Sequence, residues 1–145
     1  MRRPSGLGAS DLLHGRLAPV LAMFSVAAVG TGCMSPCEND LVSSELSPDR
    51  TLQAVTFVQG CGTTVRVKTG VSVLLAGARV PKSGEPNALA VADDPAHPIE
   101  RSGEAIEVRL RWISSRRLAV SYPRAALVGK RAARANGVAI EYTTF

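Results

Sequence analysis

Aromatic side chains are scarce in this 145-residue chain, with three Phe, two Tyr and one Trp, or 4% of its residues. A core must therefore come mainly from Val, Leu, Ile and Ala, and that β-branched bias leans toward strands. Histidine is scarcer still: His14 and His97 are the whole supply. With so few, no triad follows from spacing, and neither Ser72 nor Thr64 is supported as a nucleophile. The three cysteines include no CxxC pair, and HxxxH does not occur, so the common zinc-ligand spacings are missing. No apolar run approaches the roughly 20 residues that a membrane-spanning helix needs. Charge of one sign is also in short supply. The net +5 falls to +3 once Arg2, Arg3, Arg16 and Asp11 are set aside with the leader described next. What remains is spread out, with small clusters at Arg116-Arg117 and around Lys130, Arg131 and Arg134, which reads as solvated surface and not as a nucleic-acid footprint.

What is present begins with an export signal. Arg2, Arg3 and Arg16 form a positive segment, and residues 17–29 (LAPVLAMFSVAAV) form an uncharged apolar run of 13 that ends in small residues. The run Val29-Gly30-Thr31-Gly32-Cys33 resembles a lipobox, with Gly30 at a position where Leu is usual. Residues 1–32 are thus expected to be a removable lipoprotein signal peptide, with Cys33 the lipidated first residue of the mature chain. The thiol accepts the diacylglyceryl group, and each buried methylene of such a lipid contributes about 0.8 kcal/mol to membrane attachment. Met34 carries no aspartate-type retention signal, so the outer membrane is favoured over the inner.

Lipidation of Cys33 leaves Cys37 and Cys61, an even pair in an oxidising compartment, for which a structural disulfide is the expected state. The sharper alternative is a metal site from Cys37, Cys61 and His97, or a reactive Cys61. Asp93-Asp94 could contribute to a Ca²⁺ site, but no further acidic residues follow at alternate positions, and turn chemistry accounts for the pair. Glu104, Glu107 and Glu141 are scattered over strand faces.

Residues 33–40 read as a tether and residues 41–145 as one β-rich domain. Strands are expected over 41–46, 51–58, 64–69, 71–76, 88–92, 105–113, 117–122, 130–135 and 138–142. The turn Ser47-Pro48-Asp49-Arg50 joins the first two, Gly70 separates the third from the fourth, and residues 77–87 and 93–103 are loops. In the 105–113 segment Ile106, Val108, Leu110 and Trp112 face the core while Glu107, Arg109 and Arg111 face solvent. Leu118, Val120 and Tyr122 share the core face of its hairpin partner. Residues 125–135 would suit a helix by composition, but Asn136-Gly137 is the preferred hairpin dipeptide and favours a strand before it. The sum is a mainly β chain, a small antiparallel sandwich or open barrel of about eight short strands.

The order CEN, SPD, QAVTFVQGCGTT, VSVLL, LAVADD and EVRLRWISSRRLAVSYP resembles a family of small uncharacterised bacterial lipoproteins with a pattern close to SPDG, AVVF, CGATT and VSIL. Here Arg50 stands where that pattern has Gly, and CGATT is shortened to Cys61-Gly62-Thr63-Thr64. The resemblance implies a lipid-anchored envelope domain with no assigned activity. The sequence thus points to a non-catalytic binding or structural domain without cofactor. Its expected partners are the membrane, through Cys33, and an envelope protein, with no nucleic acid. The alternative is a small envelope enzyme or metal-dependent protein using Cys61, His97 or Asp93-Asp94.

Overall fold

A computed structural model describes residues 37–62, 67–97 and 99–145. The expected signal peptide, Cys33 and most of the tether lie outside the described residues, as does Thr64. The fold is mainly β, with eleven strands among the described residues where about eight were expected.

The first hairpin joins β1 (Glu38–Leu46) to β2 (Leu52–Gly60). β1 begins three residues before the expected tether boundary, and its side chains are nearly all exposed. β2 is its opposite: LQAVTFVQG is buried along almost its full length, so both faces of this strand are covered. The SPD turn between them forms as read, with the Arg50 amide donating to the Ser47 carbonyl at 2.8 Å. Arg50 sits at φ 59°, the left-handed region that favours Gly.

β3 (Lys68–Leu75) is continuous through Gly70, which corrects the expected break there. Gly70 lies opposite Phe57, and a Cβ on it would stand 2.7 Å from the Phe57 ring, so the missing side chain makes room for the aromatic. β4 (Leu89–Ala92) pairs with β3, and β9 (Leu127–Arg131) pairs with β4. The resulting five-stranded sheet has the order β1-β2-β3-β4-β9, all antiparallel.

A second sheet has the order β10-β11-β8-β7, built from β7 (Arg109–Ser114), β8 (Arg117–Tyr122), β10 (Arg134–Ala135) and β11 (Val138–Thr144). The tryptophan hairpin β7-β8 and the Asn136-Gly137 turn, with φ of 46° and 76°, form as expected. Four expectations are corrected here. The 105–113 segment is split, because the Glu107 amide donates to the Glu100 carbonyl and ends a short β6 (Ala105–Ile106). β6 pairs with β5 (Arg101–Ser102) across Gly103, within a stretch read as loop. The 130–135 strand is also divided at Ala132-Ala133, where the chain leaves one sheet for the other. Finally, β11 runs parallel to β8. Residues 123–137 supply the crossover that a parallel pair requires, because β9 is spent on the other sheet.

One buried cluster draws on both sheets. Leu52, Ala54, Val71, Val73, Leu89 and Val91 come from the larger, and Leu118, Val120, Tyr122, Val138 and Ile140 from the smaller, with Ile106 between. Each fully buried Val or Leu contributes about 1.5–3 kcal/mol. Trp112 packs against this cluster while half-buried, and its Nε1 donates to the Glu45 carbonyl at 3.1 Å. That bond ties the edge of the smaller sheet to β1.

Candidate functional site

The outer face of β2 is the unexpected part of the molecule. Gln53, Val55, Phe57 and Gln59 all project from it, and all are buried although the main core lies on the other side. Their cover is the β3–β4 connection, residues 76–88. Side-chain amides hold it down. Gln53 Nε2 donates to the Ala78 carbonyl at 2.6 Å, and Gln59 Nε2 to the Gly84 carbonyl at 2.9 Å. Asn39 Nδ2 donates to the Pro81 and Gly84 carbonyls at 3.0 and 3.1 Å, while its backbone amide donates to Lys82. At the far end Asn87 brackets Val73, accepting from its amide and donating to its carbonyl, both at 2.8 Å. Pro86, within this strap, is buried against the Phe57–Gly70 contact.

Between the strap and β1 lies a trough of about 320 Å³. Val55 and Gln53 line its β2 side, Leu41, Ser44 and Asn39 its β1 side, and Ala78, Arg79 and Val80 its strap side. The lining combines aliphatic surface, amides and one guanidinium, which suits contact with a part-apolar, part-polar ligand such as an extended peptide. Gln59 Oε1, beside the strap, and Thr56 Oγ1, on the opposite face of β2, are buried with no hydrogen-bond partner among the described residues. Sequence reading missed the trough. The available signal was Gln53 and Gln59 on the same strand face as Val55 and Phe57, since buried amides require partners.

The described residues singled out in the sequence are spread over several places. Cys37 and Cys61 are joined by a disulfide, so the Cys61 thiol is neither a nucleophile nor a metal ligand in this structure. The bridge extends the register of β1 and β2, one step beyond the Glu38–Gly60 pair. His97, Asp93 and Asp94 share one loop. His97 Nδ1 lies 2.9 Å from Asp94 Oδ2, and Asp94 Oδ1 accepts from the Ala96 amide at 2.9 Å, which is turn chemistry. Asp93 is ion-paired with Arg101. Among the described residues no group of three or more His, Cys, Asp or Glu is arranged to hold a metal ion. Glu107 pairs with Arg109 and Glu141 with Arg117. Ser72 Oγ accepts from the Asn87 amide, so its role is to seat the strap.

Two groups with shifted titration, Asp49 and Tyr142, both serve structure. Asp49 is held below the usual carboxylate range by hydrogen bonds from the Ser47 hydroxyl and the Thr51 amide. Ser47 is itself buried; with its proton directed to Asp49, its hydroxyl oxygen accepts from the Leu52 amide at 3.0 Å. Ser and Asp of the SPD element are therefore explained by the turn. Tyr142 is pushed up to about 12 by burial, against the opposing effect of Arg131. Its hydroxyl lies 3.0 Å from the Ala88 carbonyl and 2.8 Å from that of Ala132, bridging β11 to the larger sheet.

Among the described residues no helix is long and apolar enough to cross a membrane. No family model, curated protein or solved structure matches the chain.

Proposed function

We propose that this chain is an exported lipoprotein of the bacterial envelope, cleaved after Gly32 and lipidated on Cys33, whose domain is a non-catalytic binding or structural module. In this reading the two sheets form a small sandwich, and the strap-edged trough is its contact site for an envelope partner. The outer membrane is the favoured location, and nucleic acid is not a partner. Kinship with the SPDG/CGATT/VSIL lipoproteins belongs to the same proposal.

The observation that carries it is the Cys37–Cys61 bond, which opens four residues after Cys33. Disulfides persist in exported proteins and are rare where thiols are kept reduced. The apolar run at 17–29, the basic residues before it and the small residues leading to Cys33 support the same compartment. The enzyme alternative loses its thiol version with Cys61 bonded, and His97 and Asp94 sit together in an exposed turn.

Intact mass of the membrane-extracted protein, with and without reduction, tests the proposal. The expected result is a chain that begins at Cys33, carries acyl mass, and gains two hydrogens on reduction. A chain that retains residues 1–32, or one cleaved elsewhere without acyl groups, overturns it.

A further inference from the structure

One end of the larger sheet is a single row across all five strands. Glu38 lies opposite Gly60, Gln59 opposite Lys68, Lys68 opposite Ala92, and Ala92 opposite Leu127. Cys37 and Cys61 stand one residue beyond the first pair. The smaller sheet ends beside the same row, because only four residues carry the chain from Tyr122 to Leu127. There Arg109 lies opposite Ser121 and Thr144 opposite Tyr122, and the Arg124 amide donates to the Phe145 carbonyl at 2.9 Å.

This end exposes Leu127, Val128 and Phe145, and the opposite end exposes Leu46, Leu75 and Ile113, so apolar exposure is available at both and the reach of the tether decides between them. The Arg109 guanidinium lies 4.0 Å over the Phe145 ring, and Arg124 is exposed. Glu107 is ion-paired with Arg109 and Asp93 with Arg101, Asp94 lies against the His97 ring, and with Glu38, Glu100, Lys68 and Arg124 these side chains come to within about one charge of neutral. The surface is therefore close to neutral, apolar in patches, and edged by cationic side chains long enough to reach outward.

Cys33 precedes Cys37 by four residues, a span of at most about 14 Å when fully extended. The larger sheet is longer than that: from Lys68 to Leu75, β3 covers roughly 24 Å. Resting on the lipidated Cys33 proposed above, we propose that the bridge-bearing end of the domain is a bilayer-contacting surface. Leu127, Val128 and Phe145 enter the boundary between headgroups and acyl chains, and Lys68 and Arg124 meet the headgroup phosphates. Its near-neutral charge fits a zwitterionic bilayer and requires no anionic lipid.

The test uses the unaltered chain, extracted with its acyl groups and reconstituted into phosphatidylcholine nanodiscs that carry a headgroup nitroxide. Amide signals are compared with those from discs without the nitroxide. The expected result is that Ala92, Leu127, Val128 and Phe145 broaden at least about ten-fold more than Leu46, Leu75 and Ser114, which lie at the opposite strand ends some 20 Å away. Uniform broadening, or broadening at the opposite end, in protein retained by the discs overturns this surface and leaves the anchor standing. A chain without acyl mass that is not retained by the discs overturns the anchor and this surface together.

Discussion

Phe57 lies across Gly70, its registered partner on the neighbouring strand, so closely that a Cβ on the glycine would stand 2.7 and 2.8 Å from ring atoms Cζ and Cε2. Pro86 closes the other side, 3.1 Å from the same position, and Phe57 is buried. The ring has nowhere to retreat.

Gly70→Ala is therefore expected to destabilise the domain by about 1–3 kcal/mol, the usual range for overpacking, although alanine ordinarily suits a strand better than glycine. Urea unfolding measures it. In a Phe57→Leu background the same substitution should have a clearly smaller effect, and equal effects in both backgrounds would show that the ring is not the obstacle.

Arg50 presents the reverse case. Its φ of 59° is disfavoured for a side chain bearing a Cβ, by roughly 1–2 kcal/mol per residue. Arg50→Gly should raise the thermal midpoint, with a gain of about 1 kcal/mol after the added entropy of the unfolded glycine is subtracted. An unchanged or lowered midpoint would count against strain at this turn.

Tyr142 gives the domain an alkaline limit. Burial raises its pKa to about 12, so the folded state keeps the proton longer than the unfolded chain, whose tyrosines ionise near 10. The sign follows: stability from this group is fully present below pH 10 and is lost as pH rises toward 12. Unfolding free energies measured across that interval should fall in the native chain and fall less in Tyr142→Phe. That variant should also lose about 1 kcal/mol at neutral pH with the bond to the Ala88 and Ala132 carbonyls.

The Cys37–Cys61 bridge closes a loop with a sequence separation of 24, for which the chain-entropy account gives about 3 kcal/mol. Paired Cys37→Ser and Cys61→Ser substitutions should lower the urea midpoint accordingly, and reductant should lower the native midpoint to the same value. A midpoint insensitive to reductant would show that the bridge is not formed in solution.

The local elements were the legible part of this chain. Alternation exposed the buried faces of Leu118, Val120 and Tyr122, and Asn136-Gly137 and Ser47-Pro48-Asp49 announced their turns, because each signal depends on neighbours within a few residues. Gly70 misled because a glycine can either break a strand or admit a ring, and only the partner strand shows which. The strap over β2 was hidden for a similar reason. A loop rich in Gly, Pro and Lys reads as solvated surface, and nothing within it names Asn39, Gln53 and Gln59 as its anchors. The parallel placement of β11 beside β8 was likewise invisible, since it depends on β9 pairing with a strand some forty residues away.

The disulfide also determines how the domain would bear a mechanical load. Tension arriving through the residues before Cys37 cannot peel β1 away from its first residue, because the bridge passes part of the pull through Cys61 into β2. β2 is flanked on both edges and covered on both faces, so the load is delivered to the best-supported strand of the larger sheet. An exposed outer strand is thereby made a usable point of suspension.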